Sequence, residues 1–226
     1  MQHLVIRERT EQDVAASEWQ KFLPAVALTG EEGNDALRRA EAVIRAQEER
    51  IRILEAMALT DELTGLANRR GFIGAFDREL ALARRDADCG GILVMIDLDG
   101  FKGINDRFGH QAGDAYLRAV GQVLRDNVRL SDTVARLGGD EFAILFTRID
   151  EANGVRRLAK LEKAFNAHSL SWESKSLPMR ASFGSAVYAG TYGAEAIIQA
   201  ADLRLYARKA HNRPRSGQME PFHGSV

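Results

Sequence analysis

The sequence has a single cysteine, Cys89, so no disulfide can close within the chain, and a reducing compartment is expected. It has no surplus of charge of either sign: 31 Lys and Arg stand against 32 Asp and Glu, for a formal net charge of −1. Without a global basic field, neither nucleic acid nor an anionic membrane is an expected partner. No apolar run approaches the length that spans a bilayer. The opening Met1-Gln2-His3-Leu4 lacks the apolar core of a secretion signal. These absences point to a soluble, cytoplasmic protein in which any membrane sensing would need another protein or further sequence. The 226 residues fit one ordinary domain plus an appendage.

What is present is organised around Arg136 to Phe146. Two short apolar runs, Thr133 to Leu137 and Phe142 to Phe146, flank Gly138-Gly139 and the acids Asp140 and Glu141. That pattern predicts a β-hairpin whose turn needs glycine backbone freedom. Taken alone, such a turn reads most simply as a surface hairpin with solvated acids. Adjacent carboxylates on a bare backbone also suit a hard cation, and a hard cation suits phosphate.

Residues 1–33 contain one candidate element, a short amphipathic helix over Val14–Leu23 that stops at Pro24. It is too short to bury a core by itself, so it either packs on a partner, a second copy or the later helix, or is a frayed tail. A long helix is predicted over 35–59. Leu37, Ile44, Ile51 and Ala58 recur every seven residues, and Ala40, Gln47 and Leu54 follow three residues behind. Ile at a and Leu at d favour a parallel two-stranded coiled coil, and Arg50 with Glu55 occupies a g–e′ pair. The competing reading is an amphipathic helix packed on its own domain; the heptads favour dimerisation. Thr60 to Arg70 breaks the repeat, with a turn at Thr64-Gly65 and Asn68 placed to cap a helix over 69–84 whose apolar contacts are Phe72, Phe76, Leu80 and Leu82.

Ile92 to Ile96 is a near-continuous apolar strand of the kind buried on both faces. It runs straight into Asp97-Leu98-Asp99-Gly100-Phe101-Lys102. Acids at the end of a central strand are costly unless they bind something. Helices are predicted at 102–108, 112–127, 151–167 and 194–210, and a further strand at 179–188. The fold class expected is α/β in the broad sense (α+β), with one mixed, partly antiparallel sheet flanked by helices and a helical, coiled-coil arm in front. A central strand beside the hairpin would bring Asp97 near Asp140 and Glu141.

These motifs, in this order, resemble the GGDEF-type diguanylate cyclases. The resemblance covers about residues 59–213 and rests on Asp61-Glu62-Leu63-Thr64-Gly65-Leu66-Ala67-Asn68-Arg69, the run Asp97 to Asp106, Phe108 to Asp114, Gly138 to Phe142, and Ala201-Asp202 to Arg213. It implies a palm-like sheet shared with nucleotidyl cyclases and polymerases, and condensation of two GTP into cyclic di-GMP and two pyrophosphates. It implies Mg²⁺ (or Mn²⁺) held by Asp97, Asp140 and the Leu98 carbonyl. Asp140, with Glu141 as second candidate, would take the proton from the attacking 3′-hydroxyl, and Lys102 would stabilise phosphate charge. Asn105 and Asp114 would hold the guanine edge, His110 would line the nucleotide site beside Gly138 and Gly139, and Lys209 and Arg213 would grip the terminal phosphates. Arg129-Leu130-Ser131-Asp132 falls where the family's product-inhibition site lies, so Arg129 would stack on a guanine and fork to a phosphate, and Asp132 would hold a base edge.

Elementary chemistry agrees with these roles. Guanine offers N1–H and N2–H₂ donors to a carboxylate at Asp114, whereas adenine has no such pair. Bonds of that charge-assisted kind contribute roughly 1.5–3 kcal/mol each. Lys209 and Arg213 are four residues apart, on one helical face. Taken singly, each has a plainer reading: Asn105 as a cap, His110 as a core histidine, Lys209 and Arg213 as a solvated helix end. Two departures from the family pattern stand out. Gly100 replaces a commonly bulkier residue, which would loosen the phosphate loop, and Arg208, Asn212 and Pro214 alter the final motif.

The resulting division is 1–33 of unassigned role, 34–59 a signalling coiled coil, 60–213 the catalytic domain and 214–226 a tail. One domain holds one GTP, so a homodimer is implied, with an upstream sensor protein acting through residues 1–59. No phosphodiesterase domain is expected after the last helix. Two other readings remain: a catalytically idle module that binds cyclic di-GMP or a protein, and a cyclase making a mixed or adenine-containing dinucleotide.

Overall fold

The structure, a computed structural model, describes residues 31–86 and 89–212. The candidate helix at Val14–Leu23, Arg213 and the tail 214–226 lie outside the described residues. By its contacts the chain divides into two compact units after Glu55. Helix α1 (Glu31–Leu59) begins in the first of them, and its seam residues Leu37, Ile44, Ile51 and Leu54 are each more than half exposed. Among the described residues no helix is long and apolar enough to cross a membrane.

The second unit follows the order α2 (Arg69–Arg85), β1 (Gly91–Leu98), α3 (Phe101–Phe108), α4 (His110–Asp126), β2 (Thr133–Gly138), β3 (Glu141–Phe146), α5 (Glu151–Asn166), β4 (Ser169–Trp172), β5 (Lys175–Pro178), β6 (Ala181–Tyr188) and α6 (Ala194–Asn212). Four strands form one sheet in the order β2-β3-β1-β6, and every pairing among them is antiparallel. The parallel component among the described residues is a single bridge between Ala67 and Ala135. Asn68 caps α2 by accepting from the N–H of Gly71 (2.9 Å).

All eight residues of β1 are buried, as expected for a strand with both faces covered. The pleat divides them. Ile92, Val94, Ile96 and Leu98 join a core with Tyr116, Leu117, Val120, Val123 and Leu124 of α4 and Leu158, Leu161 and Phe165 of α5. Leu93 and Met95 join the opposite core with Phe72, Phe76 and Leu80 of α2 and Ile197 and Ala201 of α6. Each large side chain so buried contributes about 1.5–3 kcal/mol. The same alternation turns Asp97 toward the α2/α6 side.

Two expectations are corrected. Leu82 is 38% exposed and Ala83 is buried instead. Phe72, Phe76, Leu80 and Ala83 follow the i+4, i+4, i+3 stripe, whereas residue 82 lies about 200° round the helix from residue 80. The strand expected to start at Met179 starts at Ala181, and a separate hairpin, β4–β5, precedes it. Its turn places Glu173 (φ 44°) and Ser174 (φ 63°) in the left-handed region. Hairpin turns of that kind are normally announced by Gly, Asn or Asp, and none of these stands here.

Candidate active site

Strand register sets the site. Asp97 pairs with Glu141 across β1 and β3, at the end of both strands, and with Ser182 of β6 on its other side. The N–H of Leu98 donates to the Asp140 carbonyl (3.2 Å), which ties the end of β1 to the hairpin turn. Gly138 (φ 149°) and Gly139 (φ 52°) shape that turn, and a Cβ on either would meet nothing within 4 Å. The turn is therefore open on the side where a ligand's phosphates would approach.

Asp97 is 8% exposed. Burial raises its carboxyl above the usual range, Lys209 opposes the shift, and the charges of Asp140 and Glu141 add to it. Lys209 reaches in from the last turn of α6, with Nζ 2.5 Å from Asp97 Oδ2. The site thus holds clustered negative charge at one strand end with the Lys209 ammonium against it. Among the described residues no three His, Cys, Asp or Glu side chains converge as a ligand set. The oxygen donors on hand are a pair of carboxylates and backbone carbonyls, a set a hard divalent cation takes when substrate oxygens complete it.

The turn is braced from behind. Arg136 donates from Nε (3.0 Å) and Nη2 (2.8 Å) to the Gly139 carbonyl and from Nη1 to both oxygens of Asp61 (3.3 and 3.2 Å). Asp61 also accepts from the backbone N–H (2.9 Å) and hydroxyl (2.6 Å) of Thr64. Burial pushes the Asp61 carboxyl up, but Thr64 and Arg136 together outweigh it and hold it below its ordinary value. Arg69 donates to the Leu137 carbonyl (3.2 Å) and lies 3.6 Å from Glu141 Oε2. Neither arginine was assigned a role from sequence. The signal available was their position: Arg136 two residues before the Gly pair, Arg69 closing the first motif.

Beyond Asp97 the chain passes through Asp99, whose Oδ1 accepts from the Ser182 hydroxyl (2.9 Å). Gly100 then adopts a left-handed φ of 75° as it enters α3. Glycine takes that conformation without steric cost, so the substitution expected to loosen the loop suits its geometry. Lys102 is exposed in the first turn of α3. Asn105 sits one turn on, and a Cβ on Gly113 of α4 would fall 1.9 Å from its Oδ1. Asp114, the next residue, is exposed. His110 is the first residue of α4 and is exposed, which excludes a core histidine. Arg208 points elsewhere and pairs with Glu162 of α5 (2.9 Å).

Arg129 and Asp132 lie at the opposite end of the β2–β3 hairpin, one strand length or roughly 20 Å from the turn. Arg129 is exposed and lines a cleft of about 700 Å³ with Arg148, Arg156, Arg157 and Lys160. The Asp132 side chain is fully covered. It accepts from the N–H of Arg129 (2.8 Å) and of Thr147 (3.1 Å) and pairs with Arg157 Nη2 (2.5 Å). The Arg157 guanidinium also lies 4.4 Å from the Phe146 ring centre.

Known proteins are similar to this chain. The family model described as "Diguanylate cyclase, GGDEF domain" matches residues 58–215. Diguanylate cyclase DgcP of Pseudomonas aeruginosa is 38% identical over 160 residues, 70% of this chain and 23% of that protein. Diguanylate cyclase DosC of Escherichia coli K12 is 40% identical over 156 residues, 69% of this chain and 34% of that protein. The chain thus spans about a quarter to a third of the length of these curated relatives. The solved coiled coil and GGDEF domain of DgcB from Caulobacter crescentus, in complex with c-di-GMP, superposes with a TM-score of 0.72 at 30% identity, over 80% of this chain and 95% of that one. With the motif, the strand register and these relatives in agreement, the chain belongs to the GGDEF-domain diguanylate cyclase family.

Proposed function

We propose that the chain condenses two GTP molecules into cyclic di-GMP with release of two pyrophosphates. The observation that carries this reading is the pairing of buried Asp97 with the Asp140–Glu141 turn, with Lys209 paired to Asp97. Asp97, Asp140 and the Leu98 carbonyl would hold Mg²⁺ or Mn²⁺, which when bound neutralises triphosphate charge and lowers the pKa of the attacking hydroxyl. Asp140, with Glu141 second, takes the 3′-hydroxyl proton. Lys102 and Lys209 meet the phosphates, Lys209 exchanging its carboxylate partner for them, and Arg213 adds a third cation. Asp114 accepts from N1–H and N2–H₂ of guanine, Asn105 holds the same base, and His110 borders the nucleotide.

The reaction joins two nucleotides head to tail, so two domains must face each other. The exposed α1 seam supports a homodimer with residues 1–59 as the control arm, open to an upstream sensor protein. The test is incubation with GTP and Mg²⁺, with ATP in competition, followed by chromatography. Cyclic di-GMP is the expected product. An adenine-containing product, or binding of cyclic di-GMP with no turnover, would replace this reading.

The basic cleft supports product inhibition. Arg129 supplies a free guanidinium face for base and phosphate, and Lys160 and Arg156 add charge. Asp132 acts there by holding Arg157 and the Arg129 backbone, because its oxygens already have partners. Arg129→Ala should raise the concentration of cyclic di-GMP that halves turnover by about tenfold or more, the equivalent of one charge-assisted contact. An unchanged inhibition curve would remove the cleft from regulation.

A further inference from the structure

Gly113 lies in the first turns of α4, buried, directly before Asp114. The three atoms nearest to a Cβ built there are Oδ1 (1.9 Å), Cγ (2.9 Å) and Nδ2 (3.4 Å), all of Asn105. The Asn105 carboxamide therefore occupies the space that any side chain at 113 would take. The other helical glycines differ. Gly121 of α4 faces Thr64 and Leu66, an ordinary packing contact, and Gly103 of α3 faces nothing within 4 Å. Gly74 of α2 has only the Arg78 guanidinium near it, at an ordinary 3.6 Å, so among these glycines only at 113 would a Cβ collide with a single polar side chain.

The backbone around this contact is fixed. The Gly109 N–H donates to the Asn105 carbonyl (2.9 Å), closing α3, and Gly109 reverses the chain at φ 81° into α4. The Gly113 N–H donates in turn to the Gly109 carbonyl (3.3 Å). Asn105 and Gly113 are thereby held across a short corner, with Asp114 adjoining. Alanine is the better helix former, so helix stability does not account for glycine here.

We propose that Gly113 is a positioning residue for base recognition: its bare backbone seats the Asn105 carboxamide beside Asp114, so that both polar groups meet one guanine edge. This rests on the guanine-binding reading of Asn105 and Asp114 given above. A methyl at 113 evicts the carboxamide, turns it away from the base and leaves Asp114 to bind alone. The obstacle is the end of one flexible side chain, so the fold should accommodate the substitution while the base site does not.

The test uses the full chain and four forms: wild type, Gly113→Ala, Asn105→Ala and the double variant. Binding of 3′-deoxy-GTP and 3′-deoxy-ATP is titrated, since neither can be cyclised, and thermal midpoints are recorded. The expected result is wild-type preference for the guanine nucleotide, with a loss of about tenfold in Gly113→Ala and in Asn105→Ala. The double variant should be no worse than Asn105→Ala, because both changes remove the same contact. In turnover, KM for GTP should rise more than kcat falls. If Gly113→Ala lowers the thermal midpoint, removing Asn105 in the same chain should restore it; a loss that persists in the double variant overturns the proposal. Wild-type affinity in Gly113→Ala, or additive losses, also overturns it while leaving guanine recognition intact. Equal wild-type binding of the two nucleotides would instead refute the guanine reading and the inference with it.

Discussion

Asp97→Asn should abolish turnover and leave the protein at least as stable as it began. Asp97 is buried at a strand end facing two further carboxylates, and its neutral form is favoured by that burial. A raised folded-state pKa has a definite sign. The stability it contributes is fully present below the ordinary carboxylate value of about 4 and is lost as pH rises through the raised value. At neutral pH the ionised Asp97 therefore opposes folding, relieved in part by Lys209. Asparagine keeps the shape and removes the charge, so the variant's thermal midpoint should gain on wild type as pH rises from about 4 to 7. Turnover should fall by about a thousandfold or more, the consequence of losing an anionic metal ligand worth several kcal/mol. Asp140→Ala should produce a loss of similar size. Product chromatography and melts at both pH values check it; product formation near the wild-type rate in Asp97→Asn would dismiss the two-strand carboxylate site.

Much of this site is legible in the sequence because it is built on strand ends. A continuous apolar run broken by Asp97, and a Gly-Gly-Asp-Glu turn between two apolar runs, fix their own secondary structure through periodicity and turn chemistry. Once β1 lies against β3, register does the rest: Asp97 faces Glu141. The helices α4 and α6 were legible as spans for the same reason, since a buried stripe must repeat at the helical period. What escaped was of two kinds. The β4–β5 hairpin turns through Glu173 and Ser174, residues that give no turn signal, and its four-residue strands are too short for alternation to stand out. Long-range pairings escaped as well. Arg136 joins Asp61, 75 positions away, and Arg157 joins Asp132 across 25. Nothing local marks an arginine as a brace, because what it braces is brought to it by the fold. Asp132 shows the consequence: a motif places it in a product site, yet its oxygens are consumed in holding the loop.

Ile51→Lys should leave nucleotide binding untouched and stop cyclisation at low protein concentration. Ile51 occupies a seam position of α1 and is 55% exposed, as are Ile44 and Leu54 nearby to a similar degree. A stripe of exposed Leu and Ile on a long helix is an unfavourable surface until a second copy covers it. A parallel dimer would set the two Ile51 side chains against each other, and lysine there would oppose like charges in an apolar seam. A tether supplied by the seam would raise the local concentration of the second domain to about the millimolar range. Removing it makes productive encounter bimolecular. Turnover per chain should then fall by about a hundredfold or more at micromolar protein and climb in proportion to protein concentration, while 3′-deoxy-GTP binds as before. Sedimentation would show the monomer. The concentration dependence separates this from simple damage to the catalytic unit, in which turnover would stay low at every concentration. Full activity from a monomeric Ile51→Lys chain at micromolar concentration would break the link between the α1 seam and catalysis. The carboxylates, Lys209 and the Asn105–Gly113 corner all belong to the unit after Glu55, so on the proposed reading the seam would govern output by deciding how often two such units meet.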